Sequence, residues 1–600
     1  MKIDIIFIDG LESKQNNNTA LGYLYSIAAL LEKKLYSFKI LNITTLPDYS
    51  LNGLISELKH HDFKSIAMTT NADNIRNVYK ICNALKNEFI DIPIILGGPQ
   101  VTFTDEKTIL ECKCDIIIRN DGENSLIEVL DYINGKVENL NKISGITFIN
   151  NGHIYKNADS ISVNYLDLPT PQFAILSDRK YWIVPKGIED NWFDNFLSEV
   201  RRNHPYFLTG RGCPYRCIFC VEGNLNRKFR YRSAEKVKTD LEYFLSITGA
   251  NYVAISDDTF TSSPKRVKEI CRIFKEVQKK YPFVWFAEGR VDVLSKYPEL
   301  IGIMKDAGLV RLQIGIESGN QEVLNIYNKG ITLKQIEKVV IETSKYDNII
   351  LHGNLILGNP NESYMDFVKS LDFINHLFSL SKFKFDTSLS YLTPFEGTPI
   401  RINPEQFDIE ILYDNFEFKR FGMMDVTCKP KLMSMNEVNS LQTVAELKLT
   451  KYLRDNMFSI SKNDIQKRLR FRMESKVDSY SISWAKTFNS LYAFQRYEYL
   501  IEKKSTISSE IKINDYKELI PFRVWEIEYK PELAGYVFIS LSGSKTILTN
   551  FELKLWELAT GKNTINEIFK LINNIEYNLE KIYNYYIYLE NNLAIVFKEF

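Results

Sequence analysis

The sequence predicts an α/β protein of several domains, in which parallel strands alternate with helices over the first 400 residues. Three observations lead to this prediction. Five short apolar runs alternate with helix-length segments in residues 1–150. A strand–helix unit then recurs six times in residues 201–400, and helical periodicity replaces it afterwards. With 600 residues, the chain is also several times longer than the usual domain of about 100–200 residues.

These patterns divide the chain into five expected segments, which differ in the period of their apolar residues. They are a doubly wound, Rossmann-like domain at 1–150, a linker at 151–200, a partial (βα)6 barrel at 201–400, a helical cap at 401–504 and a winged-helix-like unit at 505–600.

Composition excludes several classes of protein. The chain has 75 basic and 75 acidic side chains, so no global charge favours nucleic acid or an anionic membrane. Eight cysteines are too few for a disulfide scaffold, and no apolar run reaches the roughly 18 residues of a membrane span. The start of the chain lacks the features of a secretory signal. We therefore expect a cytoplasmic protein that binds neither nucleic acid nor membrane.

The first domain is predicted from the runs IDIIFID, FKILNIT, KSIAMTT, IPIILGG and CDIIIRN. Ligands of doubly wound sheets bind beyond the carboxyl ends of the strands. The residues at these ends are Gly10, Thr69, Thr70, Gly97, Gly98, Gln100 and Glu123. No G-x-G-x-x-G follows the first strand, so a dinucleotide is not expected. The glycines after the fourth strand permit close approach of a large flat ligand, although a plain turn explains them equally well.

The barrel is predicted from six strand-like runs, beginning with HPYFLTG and ending with FDTSLSYLTP. Six units instead of eight indicate an incompletely closed barrel, whose active site lies at the carboxyl ends of its strands. Residues of chemical interest at those ends include Asp257, Arg290, Glu317 and Gly358.

The stretch RGCPYRCIFC places Cys213, Cys217 and Cys220 directly after the first barrel strand. Thiolates at short spacing bind zinc or an iron–sulfur cluster, and a structural zinc site needs four protein ligands. His204 is the only nearby histidine that offers a fourth. Three thiolates on a [4Fe–4S] cluster would instead leave one iron open for chemistry.

The C-x3-C-x2-C spacing on the first loop of a βα barrel resembles the radical S-adenosylmethionine (SAM) superfamily. This resemblance implies that Cys213, Cys217 and Cys220 hold a [4Fe–4S] cluster whose open iron binds SAM, and that cleavage of SAM yields a 5′-deoxyadenosyl radical. It also implies SAM contacts for Arg290, Glu317 and Gly358, and a contact of Asp257 with SAM or substrate.

Further motifs resemble the cobalamin-binding branch of that superfamily, notably LGYLYSIAALLEKK, GGPQVTF, RNDGENSL and GLVRLQIGIESGNQEVL. The resemblance covers about residues 1–400. It implies that the flat ligand is cobalamin, bound by Gly10, Leu21, Thr69, Thr70, Gly97, Gly98, Gln100 and Glu123. The D-x-H-x-x-G signature is absent, so we expect cobalamin without a histidine ligand. The acidic element appears as NDGENS, which leaves the role of Glu123 open.

A basic run, RKFRYRS (227–233), follows the cysteine loop. It could bind nucleic acid, but its position after the cluster favours a structural role or pairing with the SAM carboxylate.

The C-terminal 200 residues predict a helical cap over the barrel mouth, followed by two strands and three helices of winged-helix type. Winged helices often bind DNA, but residues 551–600 contain five lysines, no arginine and seven glutamates. The segment LTNFELKLWELATGKNTINEIF resembles the peptide-recognition module of the pyrroloquinoline-quinone chaperone family. That module captures a leader peptide as an added strand. A purely structural appendage is the alternative.

The leading hypothesis is therefore a cobalamin-dependent radical SAM enzyme that C-methylates a ribosomally synthesised precursor peptide, supplied with electrons by a flavodoxin or ferredoxin. A second hypothesis assigns the same machinery to methylation, rearrangement or cyclisation of a small molecule. The third is a non-enzymatic, zinc-binding regulator.

Overall fold

The computed structural model describes most of the first two predicted domains and parts of the rest of the chain. The described residues are 2–9, 22–43, 46–48, 50–166, 168–176, 207–225, 229–347, 349–382, 384–413, 425–456, 513–523, 529–532, 535–539, 545–572, 578–591 and 595–598. Gly10, Leu21, His204, half of the expected linker and the aromatic segment after residue 479 lie outside them. In the described part of the chain, no helix has both the length and the apolar character needed to cross a membrane.

The N-terminal sheet has seven strands in the order β2-β1-β3-β4-β5-β6-β7. The strands are β1 (Ile5–Asp9), β2 (Phe38–Asn42), β3 (Ile66–Thr69), β4 (Ile94–Gly97), β5 (Ile116–Ile118), β6 (Ile146–Asn150) and β7 (His153–Lys156). The first five are parallel, as predicted. The antiparallel β6 and β7 were not predicted; they form a hairpin across Asn151 and Gly152, which both have positive φ. Asn-Gly is a strong hairpin signal.

Helices cover both faces of this sheet. They are α1 (Gly22–Lys33), α2 (Leu51–Lys59), α3 (Ile75–Glu88), α4 (Pro99–Phe103), α5 (Asp105–Glu111) and α6 (Glu123–Ile133). Ile5 and Phe7 of β1 pack into one core, whereas Ile6 and Ile8 pack into another. A strand that is buried on both faces has a continuous run of apolar residues, and such runs predict these strands from the sequence.

The second domain is an open parallel barrel with the strand order β10-β11-β12-β13-β14. These strands are β10 (Tyr252–Ala254), β11 (Val284–Gly289), β12 (Leu309–Glu317), β13 (Ile350–Leu357) and β14 (Phe385–Tyr391). The first predicted strand appears as a single parallel bridge from Phe207 to Ile255. It leads into a short hairpin of β8 (Gly210–Arg211) and β9 (Arg230–Tyr231). The six predicted units are thus present, the first in reduced form.

The barrel helices form its outer layer. They are α7 (Ala234–Thr248), α8 (Pro264–Gln278), α9 (Val291–Lys296), α10 (Glu299–Asp306), α11 (Gln321–Ile326), α12 (Leu333–Ser344), α13 (Tyr364–Leu380) and the short α14 (Pro399–Ile402). Leu312, Ile314 and Ile316 of β12 pack outward in the large apolar core. The residues between them therefore face the lumen.

The segment after the barrel differs from the predicted cap. Two short antiparallel strands, β15 (Ile409–Ile411) and β16 (Cys428–Pro430), precede the predicted helix α15 (Met435–Asp455). This helix lies along α13 in the outer layer: Lys448 Nζ is 2.6 Å from Asp372, and Tyr391 of β14 donates to the Val438 carbonyl. Its apolar face joins the barrel core. The described helix of the predicted cap segment therefore lies on the barrel flank, and residues 457–504 of that segment lie outside the described residues.

The C-terminal unit has the three predicted helices, α16 (Asn550–Leu558), α17 (Ile565–Ile572) and α18 (Leu579–Asn591). Its described strands number five instead of two. β17 (Ile520–Arg523) pairs with β21 (Ile595–Lys598), and β18 (Tyr529–Glu532), β19 (Gly535–Ile539) and β20 (Lys545–Leu548) form a second antiparallel sheet. Trp556, Ile565 and Tyr586 centre a separate core.

Candidate functional site

A cavity of about 540 Å³ lies between the carboxyl ends of the first sheet and the start of the barrel. Five predicted residues line it, namely Thr69, Thr70, Gly97, Gly98 and Glu123. The barrel contributes Gly210, Arg211, Gly212, Ser256 and Asp258. Gln100 is buried nearby without being part of the lining, and its Nε2 has no hydrogen-bond partner within the described residues.

The cavity wall fits a broad, flat ligand. Phe7, Ile95 and Ile118 make much of it apolar. Gly98 has φ +104°, and a Cβ there would lie 2.4 Å from the Thr70 carbonyl oxygen. At Gly97 a Cβ would meet no atom closer than 3.8 Å, so its absence leaves space for a ligand. None of the described residues that line the cavity is a histidine.

Two ion pairs join the cysteine loop to the first domain. Arg211, two residues before Cys213, contacts Glu123 at 2.5 Å and Ser26 at 3.1 Å. Arg230, in the strand after the loop, is paired with Asp121. All four charged side chains are largely buried. Glu123, whose role the sequence left open, therefore contributes to the contact between the two domains.

The two arginines of the basic run that the structure describes, Arg230 and Arg232, are structural. Arg232 is fully buried, with Nε 3.0 Å from Asp240. The Tyr165 ring lies 4.8 Å from the Arg232 guanidinium and 4.7 Å from that of Arg211. Since these charges are used inside the protein, the structural interpretation of RKFRYRS applies to Arg230 and Arg232.

The cysteine loop is compact. Gly212 has φ +79° and donates its N–H to Asp258 at 2.8 Å. The Asn224 amide donates to the carbonyls of Cys217 and Cys220. Cys217 is 6% exposed, whereas Cys213 and Cys220 are half-buried. Burial raises the pKa of Cys220 to about 11 and also raises the pKa of Cys213.

Three free thiols on one short loop match the donor set of a cluster with one open iron. Thiolates bind metals, so the positive charge of the irons must offset the burial that raises these pKa values. In the part of the chain that the structure describes, no three His, Cys, Asp or Glu side chains converge in a ready metal site.

Asp257, predicted to contact SAM or substrate, is not among the described residues that line this cavity. Its carboxylate accepts hydrogen bonds from the Thr209 N–H at 2.6 Å and the Gly210 N–H at 2.9 Å, and it lies 3.7 Å from Arg266. It is almost fully buried and anchors the start of the cysteine loop. Its neighbour Asp258 lines the cavity instead.

Arg290 and Glu317 lie beside the cysteine loop. Arg290 stacks on Tyr215 at 3.7 Å and donates to Asp292 and to the Lys329 carbonyl. The Lys329 ammonium is 2.6 Å from Glu317, whose φ of +62° marks a strained backbone for a residue with a side chain. The protein itself thus occupies much of the hydrogen-bonding capacity of both predicted SAM contacts.

Gly358 is linked to the same loop through aromatic side chains. It follows β13 with φ +76°. Its neighbour Asn359 accepts a hydrogen bond from Tyr327 at 2.6 Å, and the Tyr327 ring lies 4.7 Å from that of Phe219, just before Cys220.

A row of polar side chains crosses the barrel lumen and was missed at the sequence level. Glu288, Gln313, His352 and Asp386 are register partners on four adjacent strands. Gln313 donates to Glu288 at 2.9 Å, and His352 lies 3.0 Å from Ser388. In the sequence, polar residues at alternate positions of LHGNLILG and FDTSLSY indicate this row of lumen-facing side chains.

Glu288 is expected to make stability depend on pH. Burial raises its pKa to about 7, above its ordinary value of 4.5. Between these two pH values the folded protein keeps the Glu288 proton that the unfolded chain has released. The free energy of unfolding is therefore highest below about pH 4.5 and falls as the pH rises through about 7. We expect Glu288→Gln to remove a pH-dependent contribution on the order of 2 kcal/mol. Urea unfolding at about pH 5 and about pH 8 measures it.

Glu362 provides the reference for this experiment. Burial raises its pKa to about 7 as well, so Glu362→Gln should flatten the same part of the pH profile independently. If the free energy of unfolding depends on pH equally in the wild-type and Glu288→Gln proteins, the raised pKa of Glu288 is contradicted.

Comparison with known proteins agrees with this geometry. Residues 18–130 match the B12 binding domain, and residues 207–374 match the Radical SAM superfamily. An uncharacterized methyltransferase of Pyrococcus horikoshii is 26% identical over 66% of this chain and 80% of its own length. An anaerobic magnesium-protoporphyrin IX monomethyl ester cyclase of Cereibacter sphaeroides is 24% identical over 57% of this chain and 53% of its own length.

Two solved structures share the fold. OxsB, a cobalamin-dependent radical SAM enzyme with aqua-cobalamin and SAM bound, has a TM-score of 0.58 and 16% identity, covering 78% of this chain and 72% of OxsB. The radical SAM methyltransferase TsrM from Kitasatospora setae, with cobalamin and a [4Fe–4S] cluster bound, has a TM-score of 0.57 and 15% identity, covering 79% of this chain and 99% of TsrM.

Proposed function

We propose that this chain, a radical SAM enzyme that uses a [4Fe–4S] cluster, SAM and cobalamin, methylates an unactivated carbon of a ribosomally synthesised precursor peptide. One observation carries the methylation proposal. Gly212, which immediately precedes Cys213, lines the same cavity as the glycines of the first sheet. A corrin in this cavity would lie directly beside the cluster. The third hypothesis, a zinc-binding regulator, is wrong, because residues 207–374 match an enzyme superfamily.

When bound, the cluster and SAM supply a radical that removes hydrogen from an unactivated carbon, and cobalamin supplies a methyl group. The protein residues bind and orient these groups. We propose that Cys213, Cys217 and Cys220 hold the cluster, and that Glu317, Arg290 and Gly358 border the SAM site.

We further propose that Thr69, Thr70, Gly97, Gly98 and Glu123 form the cobalamin site. The Arg211–Glu123 and Arg230–Asp121 pairs would fix the distance between this site and the cluster. A flavodoxin or ferredoxin would supply the electron.

The peptide substrate is supported by the C-terminal unit at 505–600. Capture of a leader as an added strand requires a sheet edge with unpaired backbone groups. Among the described strands, β18 and β20 each pair only with β19, so their outer sides are candidate edges. The charge of residues 551–600, with more glutamates than lysines, favours a peptide over nucleic acid.

Leader dependence tests the peptide proposal. We expect the full-length enzyme to modify a leader-bearing precursor with a kcat/KM at least about 100-fold above that for the leaderless core, because the captured leader raises the local concentration of the core. Steady-state kinetics on both peptides measure this ratio. As a control, 5′-deoxyadenosine formation without peptide should be unchanged by added free leader.

A specific similarity favours a second candidate. The Cereibacter sphaeroides relative is named for a cyclase of a small porphyrin ester. The same cofactors could therefore methylate, rearrange or cyclise a small molecule here. In that case the leader would have no effect on turnover, and the C-terminal unit would be structural.

A further inference from the structure

A second cleft, of about 740 Å³, lies on the outer rim of the barrel. It is formed where α8, α9 and α12 begin, and Lys296, Lys334 and Lys338 line it. These helices follow the carboxyl ends of barrel strands, so the cleft lies at the same end of the barrel as the cysteine loop.

The cleft is positively charged. All three lysines are exposed, and none forms an ion pair with a carboxylate among the residues that the structure describes. Among the described residues of the lining, Asp292 is the only acidic one, and Arg290 pairs with it at 2.9 Å. The cleft thus has about three uncompensated positive charges.

The cleft also lies close to the cluster loop. Asp292 accepts a hydrogen bond at 3.2 Å from the hydroxyl of Tyr215, which stands between Cys213 and Cys217. The Tyr215 ring in turn stacks on Arg290 at 3.7 Å. Two side chains therefore connect the cleft wall to the loop that holds the cluster.

We propose that this lysine cleft docks the acidic protein that reduces the cluster. One electron passes from the reduced donor to the oxidised cluster, so the donor is oxidised by one electron and no proton or group is transferred. Redox proteins form small, short-lived complexes, and complementary charge speeds their encounter. The proposal depends on the cluster and is independent of which substrate is methylated.

The test compares two ways of reducing the same enzyme. In the variant Lys296→Glu/Lys334→Glu/Lys338→Glu, we expect the KM for a reduced, acidic flavodoxin to rise at least about tenfold in SAM cleavage to 5′-deoxyadenosine. With saturating dithionite, a small reductant that needs no docking surface, the rate should equal that of the wild type. Raising salt from about 0.05 M to about 0.3 M should slow the flavodoxin reaction of the wild type much more than that of the variant.

A matched control variant distinguishes the effect of charge in the cleft from the effect of the net charge of the protein. Lys34, Lys80 and Lys142 are exposed on the first domain, and their replacement by glutamate changes the net charge equally. This control should keep the wild-type KM for flavodoxin. An unchanged KM in the cleft variant, an equal rise in the control variant, or an equal loss with dithionite would overturn the proposal.

Discussion

Cys217→Ala is expected to remove the iron–sulfur cluster and with it all SAM cleavage. Two remaining thiolates cannot hold a four-iron cluster in place, and Cys217 is the most buried of the three cysteines. Iron content should fall from about four atoms per chain to nearly none. Formation of 5′-deoxyadenosine should fall by at least about three orders of magnitude. Iron analysis and product quantification on the anaerobically prepared protein measure both.

Cys271→Ala is the matched control for this experiment. Cys271 is a buried thiol in α8 that packs in the apolar core away from the loop. Its replacement should cost some stability through the small cavity it leaves, while iron content stays at the wild-type level. Full iron content in Cys217→Ala would disprove the cluster assignment.

Breaking the Arg211–Glu123 pair is expected to weaken cobalamin binding strongly. Arg211→Gln leaves the Glu123 carboxylate buried without its partner, a change that typically costs about 3–5 kcal/mol. Because this pair borders the cavity, we expect the Kd for cobalamin to rise about 100-fold, which corresponds to about 2.7 kcal/mol. Titration of the corrin absorbance at constant iron content measures the change.

The double variant distinguishes an ion pair from two independent contacts. Glu123→Gln combined with Arg211→Gln removes both charges, so its Kd should rise less than the product of the two single effects. Strictly multiplicative single effects would show that the two residues do not act together.

Strand ends and cysteine spacing were predictable because both are local in sequence. The continuous apolar runs IDIIFID and IPIILGG identified buried parallel strands, and their following residues line the cavity. Asn151-Gly152 is an equally local signal, and it marks the turn between β6 and β7.

Other features depend on contacts that are distant in sequence. Asp257 and Asp258 are adjacent and chemically alike, and neighbouring residues near the end of a strand tend to face opposite ways. The contact with Thr209, 48 residues earlier in the chain, shows that Asp257 is the buried one. Arg211 and Glu123 are likewise 88 residues apart. The helix α15 lies on the barrel flank because it packs against α13. The apolar periodicity of α15 alone predicts a helix but does not reveal this partner.

The combined product assay tests the account most directly. The enzyme is incubated with reductant, cobalamin, SAM carrying a labelled methyl group and the precursor peptide, and mass spectrometry follows peptide and nucleoside together. The account predicts that the peptide gains the labelled methyl group and that 5′-deoxyadenosine accumulates in step with it. Formation of 5′-deoxyadenosine with a modified but unmethylated peptide, or methylation without 5′-deoxyadenosine, would contradict it.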